Sequence, residues 1–149
     1  MTRITMAMAV VMLCTSATGA QAPSSQYSPA GIDDPKLVDR FLENLQQAVA
    51  ADDAAGVAML GRYPAEVVID KKRRRVRTRP EMEKLYAQVF TPCLKRVVAA
   101  ARTEDLFANW QGVNLGQGAM WFGMQANGRI AFFTINGPMD DEPLCKETP

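Results

Sequence analysis

The spacing of apolar residues changes period twice along the chain. Leu37, Phe41, Leu45, Ala48 and Val49 recur at helical spacing on one face, behind an Asp34 that can cap and a Pro35 that can open a helix. A second, short helix carries Val57, Met59 and Leu60, with Asp52 or Asp53 as its cap and Gly61 as its end. The period then falls to two. An extended segment starts at Tyr63-Pro64, Val67 and Ile69 alternate with Glu66, Val68 and Asp70, and a basic turn leads into a short strand through Val76, which together predict a hairpin. Thr78-Arg79-Pro80-Glu81 has the form of a capping box. It opens a long helix through Met82, Leu85, Tyr86, Val89 and Phe90, kinked at Pro92 and continued by Leu94, Val97, Val98 and Ala101. Extended runs over 106–113, 118–124 and 129–136, separated by turns such as Asn127-Gly128, predict three antiparallel strands. The expected fold class is α+β, with helices covering one face of a curved antiparallel sheet.

Length and composition set the frame around this pattern. A chain of 149 residues, 48% apolar and 22% charged, has the size of one globular domain plus processing segments. Arg3, the apolar stretch Ile4 to Cys14 and the small residues ending in Ala20-Gln21-Ala22 follow the order of a secretory signal, expected to be cleaved after Ala22 or Ala20. That stretch rises only about 16 Å as a helix, roughly half a bilayer core, so no transmembrane anchor is expected to remain. Cys14 follows Leu13, where a lipid-modification signal would have a small residue. The expected organisation is a signal peptide over 1–22, a flexible lead-in over 23–32, the domain over 33–138 and a tail over 139–149, in a periplasmic or secreted protein. Cys93 and Cys145 then remain, an even count that argues for one disulfide, against the alternative of two separate thiols.

Several chemistries are excluded by what is missing. With 0 histidines, Ser-His-Asp, Cys-His and His-ligated zinc arrangements lack their base or ligand. No GxxxxGK[ST] or GxGxxG cradle occurs. Asp140-Asp141-Glu142 lacks the spacing of a calcium loop. No metal and no cofactor is expected. The acidic trio either neutralises the basic hairpin or stays in water.

Tyr63-Pro64, Arg79-Pro80-Glu81-Met82, Phe90-Thr91-Pro92 and Leu106-Phe107-Ala108-Asn109-Trp110-Gln111-Gly112, with Gly116, Gly118, Trp121 and Phe122, carry a family likeness. The stretch from Phe41 to Asn136 resembles the NTF2-like superfamily, close to the SnoaL-like proteins and to small exported bacterial members of unassigned function. The resemblance implies a cone whose sheet wraps around a pocket roofed by helices, and a homodimer paired through the outer sheet face, with Phe133 or Met124 at the contact. Enzymatic members, among them ketosteroid isomerases and scytalone dehydratase, act through Asp, Tyr or His residues inside the cone. None of their catalytic residues aligns with a position here.

The candidate residues sort into three functions. Asn109 and Gln111, two apart on a strand, would orient a small, partly apolar ligand in the cone, with Tyr63, Tyr86 and Trp121 stacking on it. The alternative is that they are core, rim or backbone-bonded residues. Seven of the nine residues from Lys71 to Arg79 are basic, and Arg73, Arg74, Arg75 and Arg77 would meet an acidic protein or an anionic surface as an envelope interaction module of inhibitor or immunity type. A merely solvated hairpin is the competing assignment. No aromatic residue interleaves the basic run, which argues against nucleic acid. A cofactor-independent isomerase, dehydratase or cyclase would need Asp70 as base with Tyr63 or Tyr86, although Asp70 also suits a solvated turn.

Overall fold

The computed structural model describes residues 24–139 and 142–146; the expected signal peptide, its cleavage site, Asp140 and Asp141 lie outside them. Helix α1 spans Pro35–Ala50, with the Asp34 carboxylate accepting the Lys36 N–H at 3.0 Å, and it buries Val38, Phe41, Leu42, Leu45 and Val49. Helix α2, Ala54–Met59, is capped by Asp53, which accepts the Gly56 N–H at 2.9 Å. Gly61 does not end that helix but begins strand β1, Gly61–Ile69. A Cβ there would come within 2.6 Å of the Phe132 ring, so glycine is what lets β1 approach the sheet centre.

Strand β2, Lys72–Val76, returns through a turn whose two central residues, Asp70 and Lys71, both have left-handed φ of 50° and 60°. That is the backbone of a type I′ hairpin, which matches the twist of paired strands. Thr78 then caps helix α3, Arg79–Val89, accepting the Glu81 N–H at 3.3 Å. The expected single kinked helix is in fact two. Pro92 cannot donate an N–H and drives Thr91 into an extended conformation, so α4, Pro92–Ala100, starts afresh with the Thr91 hydroxyl as its own cap. Gln46 of α1 donates to the Val98 and Ala101 carbonyls at 3.0 and 2.9 Å, satisfying the end of α4.

Four strands follow where three were expected: β3 Phe107–Asn109, β4 Gly112–Leu115, β5 Met120–Met124 and β6 Ile130–Ile135. All six form one curved sheet in the order β2-β1-β6-β5-β4-β3. It is not wholly antiparallel, because β6 lies parallel to β1 while every other pair is antiparallel. The hairpin and the meander thus join side by side at the centre, and the α3 and α4 crossover between them lets two strands run the same way.

The helices cover one face of the sheet. Beneath them Phe41 meets Phe122 with ring centroids 4.5 Å apart, and Leu45, Met82, Leu94, Leu115, Met120 and Phe132 fill the space around this pair. No polar or charged residue is buried among the described residues.

The lead-in is packed rather than flexible over its described residues. Tyr27 is 1% exposed and Ile32 0%, and the Tyr27 hydroxyl donates to the Thr103 carbonyl at 2.7 Å, so two large apolar side chains fix the segment to the core. At the other end the expected disulfide is formed. Cys145, in the short turn Pro143–Cys145, is bonded to Cys93 of α4 with Cα atoms 4.8 Å apart.

Candidate functional site

The sheet divides the predicted ligand residues between its two sides. On the helix-covered side, Tyr63 of β1 stands edge-on to Phe132 and donates its hydroxyl to the Ala58 carbonyl at 2.8 Å. Burial pushes its phenol up to about 12. Tyr86 of α3 stacks on Phe90 at 5.1 Å and directs its hydroxyl to Asp52 at 3.3 Å. Lys95 of α4 pairs with the same carboxylate and lies 5.4 Å from the Tyr86 ring centre. Burial, then the Asp52 charge, raises Tyr86 to about 12, and the Lys95 hydrogen bond lowers Asp52. Both phenols therefore tie helices and turns together.

Asn109, Gln111 and Trp121 belong to the other side or its rim. Asn109 ends β3 and Gln111 lies in the β3–β4 turn, where the Asn109 Oδ1 accepts the Gln111 N–H at 2.8 Å. They do not share a strand face as expected, because the chain reverses between them. Trp110 stands at the corner, 84% exposed. Trp121 is paired across the strands with Asn114 and Thr134 on the face away from the helices.

That outer face has a defined register. Phe107, Asn114, Trp121, Thr134, Glu66 and Arg75 are successive cross-strand partners from β3 to β2, all half-buried or exposed. Strand spacing of about 4.8 Å makes this a row about 24 Å long. Phe133 lies on the same face, with the Arg62 guanidinium 4.9 Å from its ring centre. Met124 shares the parity of Phe122 and packs against the core, so of the two residues expected at a dimer contact only Phe133 is outward.

The basic run occupies the opposite edge from Phe107. Lys71, Lys72, Arg73, Arg74, Arg75, Arg77 and Arg79 are all exposed, on or beside edge strand β2. Strand alternation sends Arg73 and Arg75 to the outer face and Lys72 and Arg74 to the face that carries Val76. Arg73 meets Glu66 at 2.6 Å and Arg74 meets Glu81 at 3.4 Å. Glu81 also accepts the Arg77 backbone N–H at 2.8 Å, the first cause of its lowered pKa. Among the described residues, no carboxylate pairs with Lys72 or Arg75. Asp70 sits at the tip of this hairpin, exposed.

The clefts lie elsewhere. One of ≈ 330 Å³ opens between Leu37, Phe41, Leu60 and Arg129, and another of ≈ 340 Å³ between Val97, Arg102, Gly116 and Glu142. Neither is lined by Tyr63, Tyr86, Asn109, Gln111 or Trp121. Glu142 of the acidic trio lines the second cleft. Among the described residues no cluster of His, Cys, Asp and Glu has the arrangement of a metal site, and no helix is long and apolar enough to cross a membrane.

The edge itself was readable as charge, but its neighbours were not. Nothing local in the sequence says that Glu66 stands next to Thr134, since β6 is remote in sequence. Compared with known proteins, the chain matches no family model, no curated protein and no solved structure significantly.

Proposed function

We propose that this chain is an exported, non-catalytic module of NTF2-like fold that engages an acidic partner protein through its basic edge. The order of helix, helix, hairpin, helices and meander around one curved sheet supports the family reading. The observation that carries the function is the concentration of seven exposed cations at one sheet edge in a chain whose formal net charge is only +1. Such a field is local, since charges are screened over about 8 Å at physiological ionic strength. It therefore acts on a partner that docks at this edge.

The interior lends less to a small-molecule reading. Apolar side chains fill the space under the helices, and the hydroxyls of Tyr63 and Tyr86 are engaged with Ala58 and Asp52. An enzymatic role for Asp70 gains no support from its exposed position at the hairpin tip.

The test is binding of soluble poly-L-glutamate, followed by calorimetry at low and raised salt. Wild-type protein binds, salt weakens the binding, and the triple variant Arg73→Glu, Arg74→Glu, Arg75→Glu loses it while melting within a few degrees of wild type. An absence of wild-type binding at low salt, or retention by the triple variant, overturns the assignment.

A further inference from the structure

Beyond its charge, β2 offers a backbone. It is the terminal strand of the sheet, so every second residue turns its N–H and C=O away from β1. Among the described residues, none of the backbone hydrogen bonds outside the helices and strands engages Lys72 to Val76. We propose that β2 captures its partner by strand addition: an extended acidic segment of the partner pairs with Lys72–Val76 as a seventh strand, its carboxylates alternating onto Arg73 and Arg75 on one face and Lys72 and Arg74 on the other.

This deepens the acidic-partner reading and rests on it. Strand addition derives affinity from main-chain hydrogen bonds and selectivity from alternate side chains. Both are present here with one sign of charge on both faces. The same charge decides against a second copy as occupant, because two β2 strands laid edge to edge would set Lys72 to Arg75 against like charges, a common device by which open edges avoid self-pairing. An acidic strand reverses that sign. Glu66 and Glu81 already show the geometry from within, drawing Arg73 and Arg74 toward carboxylates on either side of the strand. A partner carboxylate would compete for these arginines, while Arg75 and Lys72 have none to give up among the described residues.

The experiment uses the full chain and two synthetic peptides of consecutive Glu residues, identical except that one carries an N-methyl group on every amide. The unmodified peptide binds, protects from hydrogen exchange those amides of residues 72–76 that face away from β1, and leaves the rest of the sheet unchanged. The N-methylated peptide keeps the charge but loses its backbone donors, and binds about tenfold or more weaker. Equal affinity of the two peptides, with no added protection, overturns strand addition while leaving the charge reading intact. Failure of both peptides together with poly-L-glutamate overturns both. Preference for single-stranded DNA or for vesicles of anionic lipid over the unmodified peptide also overturns the proposal.

Discussion

The side-chain oxygen of Asn109 holds the backbone N–H of Gln111 at 2.8 Å. This bond folds the chain back on itself so that Asn109 pairs with Gly112 across the β3–β4 corner, and it leaves Trp110 projecting into solvent. Gly112 completes the corner with φ of +142°, where an added Cβ would meet the Phe122 carbonyl at 2.6 Å. Asn109→Ala is expected to cost about 1 kcal/mol through loss of this bond, and Gly112→Ala about 2 kcal/mol or more through strain and overpacking. Urea unfolding of both variants measures the difference. An Asn109→Ala variant as stable as wild type would show that the corner is held by something other than this side chain.

A filled interior makes a prediction of its own. Phe122 is 0% exposed and packs on Phe41, so Phe122→Ala should cost roughly 3–5 kcal/mol. Were the space beneath the helices an adaptable ligand chamber, truncation there would enlarge the chamber at little cost. Denaturant unfolding that shows a loss below about 1 kcal/mol would favour the chamber.

Alkaline stability should follow two phenols. Tyr63 and Tyr86 are raised from 10.0 to about 12, chiefly by burial. A group whose folded pKa lies above its unfolded value contributes in full below the unfolded value and loses that contribution as pH climbs through the folded one. Stability should therefore fall between about pH 10 and 12. Tyr63→Phe should flatten part of that fall, while weakening the tie to Ala58 at neutral pH. On the acid side the signs reverse. Asp52, lowered first by the Lys95 hydrogen bond, and Glu81, lowered first by the Arg77 N–H, stabilise above their ordinary values of 3.8 and 4.5, and the gain disappears as pH drops below them. Thermal melts across pH give both limbs.

What could be read in advance was whatever the chain specifies locally. Asp34 with Pro35, Asp53, and Thr78 with Glu81 start helices through contacts within four residues, and they do so in the structure. Phe107, Asn109, Gln111 and Val113 also alternate as a strand should, yet the chain turns there, because the Asn109 bond and Gly112 override a periodicity of two. Tyr27 and Ile32 were hidden by their setting of Pro, Ser and Gln. Their burial depends on Thr103 and on strands far along the chain. The parallel contact of β1 with β6 is remote for the same reason, and with it went the place of the hairpin in the sheet. Local signals thus identified the cations of the candidate site, while long-range pairing decided where in the sheet their edge lies.

The bond between Cys93 and Cys145 closes a sequence separation of 52 residues and fastens the tail to α4. A closure of that length removes freedom from the unfolded chain worth roughly 4 kcal/mol in the chain-entropy model. The strands do not depend on it, because β6 ends at Ile135, ahead of the bridged turn at Pro143–Cys145. The double variant Cys93→Ser, Cys145→Ser should therefore retain its sheet and helices by circular dichroism while unfolding at markedly lower denaturant, and wild-type protein in reductant should follow it. Reductant should have no further effect on the variant. If wild type and variant unfold at the same denaturant concentration without reductant, the bridge contributes nothing to the folded domain.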